Sequence, residues 1–308
     1  MKTIWMLFAL TAAVSAHAAC VGTNTWIGAA SGGNWTDNAN WKCVRNNGTV
    51  VADINSTFST SESWFYDFSA LKNATVTDNY SGSLAHFMCA GLKFAANAGT
   101  INMKRAASNP KNISFEKAVD PIIVGSGTVV NWNIPHPGTL TWTDNGATLD
   151  YSGGGTFRWD GADFKAVWTM RMNGAKLIFA KTPSGYNAGP YQVVVDFRDS
   201  ASSLEVEADD VRFKAITSAA GVTPMVKLNG HTMGLVNAAG NASEVAFYGY
   251  VTGPGKLFCL GGNPLKFGNE RPLRGGATLS VESDDVKMAY GVAAEDSALA
   301  VDDSGRVN

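Results

Sequence analysis

Two pairs of adjacent aspartates are the residues whose types and spacing come closest to a chemical site. They lie in ASSLEVEADDVRF (201–213) and GATLSVESDDVKM (276–288), and they are Asp209, Asp210, Asp284 and Asp285. Carboxylates that converge beside a base such as Arg212 are what glycoside cleavage or calcium binding requires. The sequence lacks the glycine–aspartate nonapeptide of calcium-binding solenoids. We therefore interpret these residues as solvated turn acids, with calcium binding as the weaker alternative.

The histidines beyond residue 18 offer little for catalysis, because His86, His136 and His231 are far apart in sequence. The chain contains no HExxH, GxSxG, Walker or dinucleotide-binding motif. His231 belongs to an Asn-Gly-His-Thr turn and His136 lies between two prolines, which favours structural roles for both. Catalysis by Cys89 with His86 competes with a disulfide at Cys89. We assign no catalytic residue and no cofactor, and the sequence favours a non-enzymatic protein.

Four tryptophans are candidates for carbohydrate binding, because exposed aromatic rings stack on the faces of sugars. They are Trp132, Trp142, Trp159 and Trp168. They alternate with polar residues on predicted strands, so burial in the core explains them equally well. A carbohydrate-binding or polysaccharide-degrading protein is therefore the alternative functional interpretation.

The cysteines are even in number, which in an exported chain indicates two disulfides. They are Cys20, Cys43, Cys89 and Cys259. We favour Cys20 with Cys43, since both flank one tryptophan-rich segment, and this leaves Cys89 with Cys259. The spacing matches no zinc motif.

The segment 1–18 has the features of a secretory signal peptide. Lys2 supplies a positive start, an apolar run follows, and Ala16-His17-Ala18 is a small-x-small cleavage site. No later segment approaches the roughly 20 apolar residues of a membrane-spanning helix. We expect a protein that is secreted or held at the cell surface, with a lipoprotein signal ending at Cys20 as the rival interpretation.

The composition agrees with an extracellular all-β protein. Charged residues make up 16% of the chain, against about 25% in average soluble proteins, and the net charge is −2. No stretch forms a basic stripe, which excludes nucleic acid as a partner. Short apolar pieces alternate with glycine and asparagine turns along most of the chain, and no window carries a convincing helical stripe.

The chain divides into a cap and a stem. Residues 19–60 contain Trp26, Trp35 and Trp41, which we interpret as a cap over the open end of a core, with a sugar platform as the alternative. Residues 61–308 contain the repeats. The two copies named above match at Leu204 and Leu279 and through their aspartate pairs, which indicates coils of ~20–25 residues that share one core. A β-solenoid is predicted, and a β-sandwich is the alternative.

The segments LNGHTMGLV (228–236) and VTGPGKLFCLGG (251–262) resemble the autotransporter-associated β-strand repeat. TWIGAASGGNWTDNANW (25–41) is similar to the segment that often precedes such repeats. The resemblance implies a right-handed parallel β-helix outside a bacterial cell, acting as an adhesin or passenger. It implies host or microbial surface glycans or proteins as partners. An uncapped final coil would also expose strand edges, which invites end-to-end self-association.

Overall fold

The structure is a computed structural model. It describes residues 20–59, 62–80, 86–105, 112–115, 120–134, 147–160, 167–182, 193–237, 245–261, 265–281, 285–288, 298–301 and 306–307. Within these ranges the chain forms β-strands and two short 3-10 helices, Asn38–Asn40 and Ile54–Thr57. No helix in them is long and apolar enough to cross a bilayer. The all-β prediction is confirmed.

The strands are short and follow one another closely. The first ten are β1 (Cys20–Trp26), β2 (Gly32–Asn34), β3 (Trp41–Arg45), β4 (Val50–Val51), β5 (Ser63–Asp67), β6 (Thr75–Asp78), β7 (His86–Phe94), β8 (Gly99–Arg105), β9 (Asn112–Phe115) and β10 (Asp120–Val124). The next ten are β11 (Thr128–Trp132), β12 (Ala147–Ser152), β13 (Thr156–Trp159), β14 (Val167–Asn173), β15 (Lys176–Phe179), β16 (Val194–Phe197), β17 (Ser203–Val206), β18 (Val211–Phe213), β19 (Ala215–Ser218) and β20 (Met225–Lys227). The last ten are β21 (Thr232–Asn237), β22 (Val245–Phe247), β23 (Tyr250–Thr252), β24 (Gly255–Gly261), β25 (Leu265–Phe267), β26 (Leu273–Arg274), β27 (Ala277–Val281), β28 (Asp285–Met288), β29 (Ala298–Val301) and β30 (Arg306–Val307).

These strands form four sheets. Sheet A has the order β19-β16-β14-β12-β10-β7-β5-β1-β3-β4, with β9 beside β7. Sheet B has the order β2-β6-β8-β11-β13-β15-β17-β20-β23-β26. Sheet C is β18-β21-β24-β27-β29, and sheet D is β22-β25-β28-β30. Apart from β3, β4 and β9, neighbouring strands of a sheet come from successive passes of the chain, so the passes stack along one axis.

The pairing is parallel in every described pair of strands except β1–β3 and β3–β4. Leu177, for example, pairs with Phe157 of the preceding coil and with Leu204 of the following coil. Stacked coils of this kind make a parallel β-solenoid, as predicted. A sandwich of face-packed antiparallel sheets is excluded by the parallel registers.

The interior is built from the inward residue of each strand, repeated coil after coil. Along sheet B the row Val130, Phe157, Leu177, Leu204 and Val226 is in register, and each of these side chains is at most 1% exposed. Alternation along a strand sends the neighbours of these residues to the outside. One coil cannot bury its own apolar face, but the stack shares a continuous core. Each fully buried side chain of this size stabilises the fold by about 1.5–3 kcal/mol.

The N-terminal tryptophans lie in this core. Trp26 and Trp35 are each 1% exposed, and the rings of Trp26 and Trp41 meet edge to face with centroids 5.1 Å apart. The indole of Trp41 donates to the carbonyl of Trp35 at 2.6 Å. Strands β3 and β4 then continue sheet A in antiparallel pairing beyond β1. The end of the stack is therefore covered by aromatic rings and a turned-back hairpin.

The corners between sheets bring backbones too close for side chains. A Cβ on Gly125 would collide with the backbone nitrogen and Cα of Ala96, in the coil before it. Gly153, in the next corner of the stack, has φ +97°. Glycine is required at both places, for contact in one and for conformation in the other.

Candidate functional site

The outer face of sheet B carries a row of polar side chains in register. Thr75 pairs with Asn102, Asn102 with Asn131, and Asn131 with Arg158. Each lies between inward residues of its strand, as Asn102 does between the buried Ile101 and Met103. Because coils stack at about 4.8 Å, this row presents one polar group per coil along the axis.

A cleft of about 150 Å³ opens on this face. Its lining, which we call the sheet B cleft, is Asn102, Met103, Lys104, Arg105, Asn131, Asn133 and Asp160. Three consecutive coils contribute to it, through β8, β11 and the residue that follows β13. Amides, two cations and one carboxylate therefore surround a space the size of a few small polar groups.

The amides of the cleft are only partly satisfied by one another. Asn131 Nδ2 donates to Asn102 Oδ1 at 2.9 Å. An amide side chain has two N–H donors and a carbonyl oxygen with two lone pairs. Both residues line the cleft, so the donors and acceptors left over from this bond give it capacity for a ligand that both donates and accepts.

The acid of the cleft is held by a neighbouring arginine. Arg158 Nη1 lies 3.3 Å from Asp160 Oδ1, and Arg158 Nη2 lies 2.9 Å from Glu207 Oε2. Lys104 and Arg105 are exposed and make no ion pair with any residue in the described ranges. The cleft thus has an uncompensated cationic side and an acidic side that is already paired.

A second charged row crosses the outer face of sheet A. Asp150 pairs in register with Arg171, and Arg171 with Asp196. Arg171 Nη1 is 3.8 Å from Asp150 Oδ2, while Asp150 Oδ1 is buried with no hydrogen-bond partner. Burial raises the pKa of the Asp150 carboxyl, against the opposing effects of Arg171 and Arg198.

This row does not have the geometry of a carboxylate pair for glycoside cleavage. Asp150 and Asp196 are two coils apart, which is about 9.6 Å along the axis and near the upper limit for an inverting pair. Arg171 lies between them, in the space that a sugar and its attacking water would need. Asp196 is also bound by Arg198 at 2.6 Å and Thr217 at 3.0 Å. We interpret the row as a surface ion-pair ladder.

The tryptophans proposed as a sugar platform lie elsewhere. Trp132 is 1% exposed and its indole donates to the carbonyl of Ile134 at 2.8 Å. Trp159 is 3% exposed and its indole donates to the hydroxyl of Tyr151 at 3.2 Å. The platform interpretation is wrong for these two, because each ring faces the core. Trp142 is outside the described residues, as is the side chain of Trp168.

The two aspartate pairs do not meet at one site. The first copy of the repeat runs from β17 in sheet B to β18 in sheet C, whereas the second runs from β27 in sheet C to β28 in sheet D. The copies therefore occupy different corners of the solenoid. The similarity reflects a strand–turn–strand unit that fits any corner, rather than the period of the coil.

The first aspartate pair makes contacts typical of a turn. Asp209 Oδ1 accepts from the backbone N–H of Thr232 at 3.0 Å and lies 3.3 Å from Nδ1 of His231. Asp210 Oδ2 accepts from Arg212 Nη2 at 2.9 Å. Asp284 and the side chain of Asp285 are outside the described residues. Among the described residues no three His, Cys, Asp or Glu side chains lie close enough to hold a metal ion.

None of the four cysteines forms a disulfide, so both predicted disulfides are wrong. Cys43 pairs in register with Asn24, four residues along β1 from Cys20, which is about 13 Å at ~3.3 Å per residue. Cys89 on β7 and Cys259 on β24 are at least five coils apart, or about 24 Å. Disulfides need Cα atoms within about 7 Å. The number of cysteines and their positions in the sequence do not indicate which coil of the stack each one belongs to.

Sequence reasoning did not find the residues of the sheet B cleft. Their signal is the alternation in INMKR (101–105) and VVNWN (129–133), where Asn102 and Lys104, and Asn131 and Asn133, occupy every second position. Arg105 lies outside this alternation. Which residue of one coil lies beside which residue of the next depends on loop lengths that the alternation does not fix. The cleft emerges only when the register is known.

Comparisons with known proteins identified no relative of this chain. No family model matches the chain, and no curated protein or solved structure matches it. The assignment of function therefore depends on the fold and on the geometry of the sheet faces.

Proposed function

We propose that this chain is an exported, non-enzymatic β-solenoid protein of the surface-adhesion or passenger type. The observation that carries the proposal is the stack of parallel coils, whose inner rows are apolar and whose outer rows present polar side chains in register. Such a stem holds repeated polar groups in fixed positions over many coils, which suits contact with an extended partner. The signal-like residues 1–18 and the resemblance of residues 228–262 to autotransporter-associated repeats support the same function.

The charged groups on the outer faces support binding over catalysis. The carboxylates of Asp160, Asp196 and Glu207 are each held by an arginine. A general acid or base must instead reach the reacting atoms of a substrate. Surface glycans or proteins of a host or of other microbes are the proposed partners.

Export and adhesion are tested on the full chain in a Gram-negative host. We expect a secreted or surface-held product whose mature N-terminus, read by intact mass, is Ala19. Beads coated with this product should adhere to glycan- or protein-coated surfaces more than albumin-coated beads do. A chain that begins at Ala19 is the matched control and should stay in the cytoplasm.

A product that keeps residues 1–18 and stays inside the cell would contradict export. Adhesion no greater than that of albumin would contradict the binding role. Release of reducing ends or unsaturated sugars from a polysaccharide panel would show that the protein is an enzyme.

A carbohydrate-binding role is the second candidate, and the amides of the sheet B cleft favour it. Asn102 and Asn131 offer donors and acceptors side by side, as sugar hydroxyls require. None of the described residues that line this cleft is a tryptophan, so recognition through them would come from hydrogen bonds.

A further inference from the structure

The sheet B cleft carries two adjacent cations without an ion pair to any described residue, unlike the cationic side chains of β13 and β15. On the neighbouring coils of the same sheet, Arg158 pairs with Glu207 at 2.9 Å and Lys176 pairs with Glu205 at 2.6 Å. Lys104 and Arg105 are exposed on β8 without a carboxylate partner in the described ranges. Two adjacent cations that the protein does not neutralise attract an anionic group.

The nearest acids in the described ranges form no ion pair with Lys104 or Arg105. Asp78 pairs in register with Arg105, but its side chain is 2% exposed and it forms no ion pair with Arg105. Asp160 belongs to the opposite side of the cleft, two coils from Lys104 by the register of Trp132 with Met103 and Trp159. That separation is about 9.6 Å along the axis. An anion at the Lys104 side therefore stays clear of the Asp160 carboxylate.

Between these two sides lie the amides. Asn133 follows β11 between Lys104 and Asp160, and its backbone N–H donates to the carbonyl of Met103 at 2.9 Å. The joined amides of Asn102 and Asn131 lie in the adjacent row. Neutral groups that donate and accept match hydroxyls rather than charges. The order across the cleft is thus cations, amides, then a paired acid.

We propose that the sheet B cleft binds an acidic saccharide, with a carboxylate or sulfate against Lys104 and Arg105 and hydroxyls on the asparagine amides. This assignment rests on the proposed binding function and names its ligand class. The guanidinium of Arg105 binds such an anion through two parallel N–H donors, while Lys104 acts as a point charge. Asp160 accepts a hydroxyl at the far side and repels a second anion, which fixes the direction of the saccharide.

The test measures binding of the mature protein to three probes by titration calorimetry. The probes are a polygalacturonate hexamer, a chondroitin sulfate hexasaccharide and uncharged cellohexaose. We expect binding to at least one acidic probe, weakened about tenfold or more by the double change Lys104→Ala and Arg105→Ala. Lys227→Ala is the matched control, because Lys227 is another outward lysine of sheet B and lies outside the cleft. It should leave the affinity unchanged.

The outcomes separate this proposal from the function on which it rests. Equal binding of cellohexaose and the acidic probes, unaffected by the double change, would overturn the acidic ligand and leave glycan binding in place. An equal loss of affinity in Lys227→Ala would mean general attraction by the surface, and would also overturn the site. If no probe binds and the protein still adheres to protein-coated surfaces, the saccharide is overturned as ligand and the adhesion role remains supported. Both altered residues are exposed, so the variants should keep the circular dichroism of the unaltered protein.

Discussion

Trp132→Ala tests whether the central tryptophans hold the stack together or serve a ligand. The ring is 1% exposed, and its centroid lies 5.6 Å from that of Phe157 and 6.4 Å from that of Trp159. Removing a buried indole costs about 3–5 kcal/mol. The change also leaves the carbonyl of Ile134 without its 2.8 Å donor, which adds about 1 kcal/mol. We expect a loss of about 4–6 kcal/mol in the free energy of unfolding.

Two further variants divide this loss into its parts. Trp132→Phe keeps an aromatic ring and removes the N–H, so it should cost about 1–2 kcal/mol. Asn131→Ala, the neighbouring residue on the outer face, should change stability by about 0.5 kcal/mol or less. Urea unfolding followed by far-ultraviolet circular dichroism gives the three values.

Hydrogen exchange supplies the local measurement, because stacked coils unfold in parts rather than in one step. Trp132→Ala should lose protection first in β11, which contains the residue, and in β8 and β13, the two strands that pair with β11. Stability of Trp132→Ala equal to that of Asn131→Ala would refute the core assignment. So would a loss of protection spread evenly over the whole stack.

Two other predictions concern titratable groups. Because burial raises the pKa of Asp150 in the folded state, its contribution to stability is full below the unfolded pKa of about 3.9 and is lost as pH rises through the folded value. Asp150→Asn should therefore stabilise the protein at pH 7 by about 1 kcal/mol or less, with no gain near pH 3. Asp196→Asn removes the charge that pairs with Arg198 and should instead destabilise the protein at pH 7. Urea midpoints of Asp150→Asn that move in parallel at the two pH values would contradict the sign. Burial, together with Asp53, raises the pKa of Cys43 to about 11, and Cys89 and Cys259 are fully buried. A maleimide at pH 7.5 should therefore label the partly exposed Cys20 quickly. It should label all four thiols only after the protein is unfolded. If the denatured protein takes up no label without prior reduction, its cysteines are in disulfides and the prediction of free thiols is wrong.

The sequence was sufficient for the fold class because its evidence is local. Short apolar alternation and turns rich in glycine and asparagine indicate strands wherever they occur, and stacking into coils is one of the two ways we considered for such strands to bury one face. The same reasoning places Trp26, Trp35 and Trp41 in a cap, since a cluster of large rings near a chain start needs an apolar surface to cover.

The candidate site was beyond reach of the same reasoning because it depends on register between coils. The step along the chain from Phe157 to Leu177 is shorter than the step from Leu177 to Leu204, so a fixed period places side chains wrongly after a single coil. The aspartate pairs show the consequence, because two similar segments far apart in the chain occupy different corners. Trp132 and Trp159 show a second limit of sequence reasoning. Alternation along a strand separates the residues into two sets that face opposite sides of the sheet, but it does not indicate which set faces the core.

The hairpin of β3 and β4 bears on how copies of this protein can assemble. Sheet A stops there at a two-residue strand whose pairing is antiparallel, and sheet B stops at the three-residue β2. A fibre built by head-to-tail addition needs complementary surfaces at both ends of every copy, because only a heterologous contact repeats without closing. An end closed in this way offers almost no strand edge for another coil to extend. The end of the stack that carries this hairpin is therefore protected against association with another copy through strand edges.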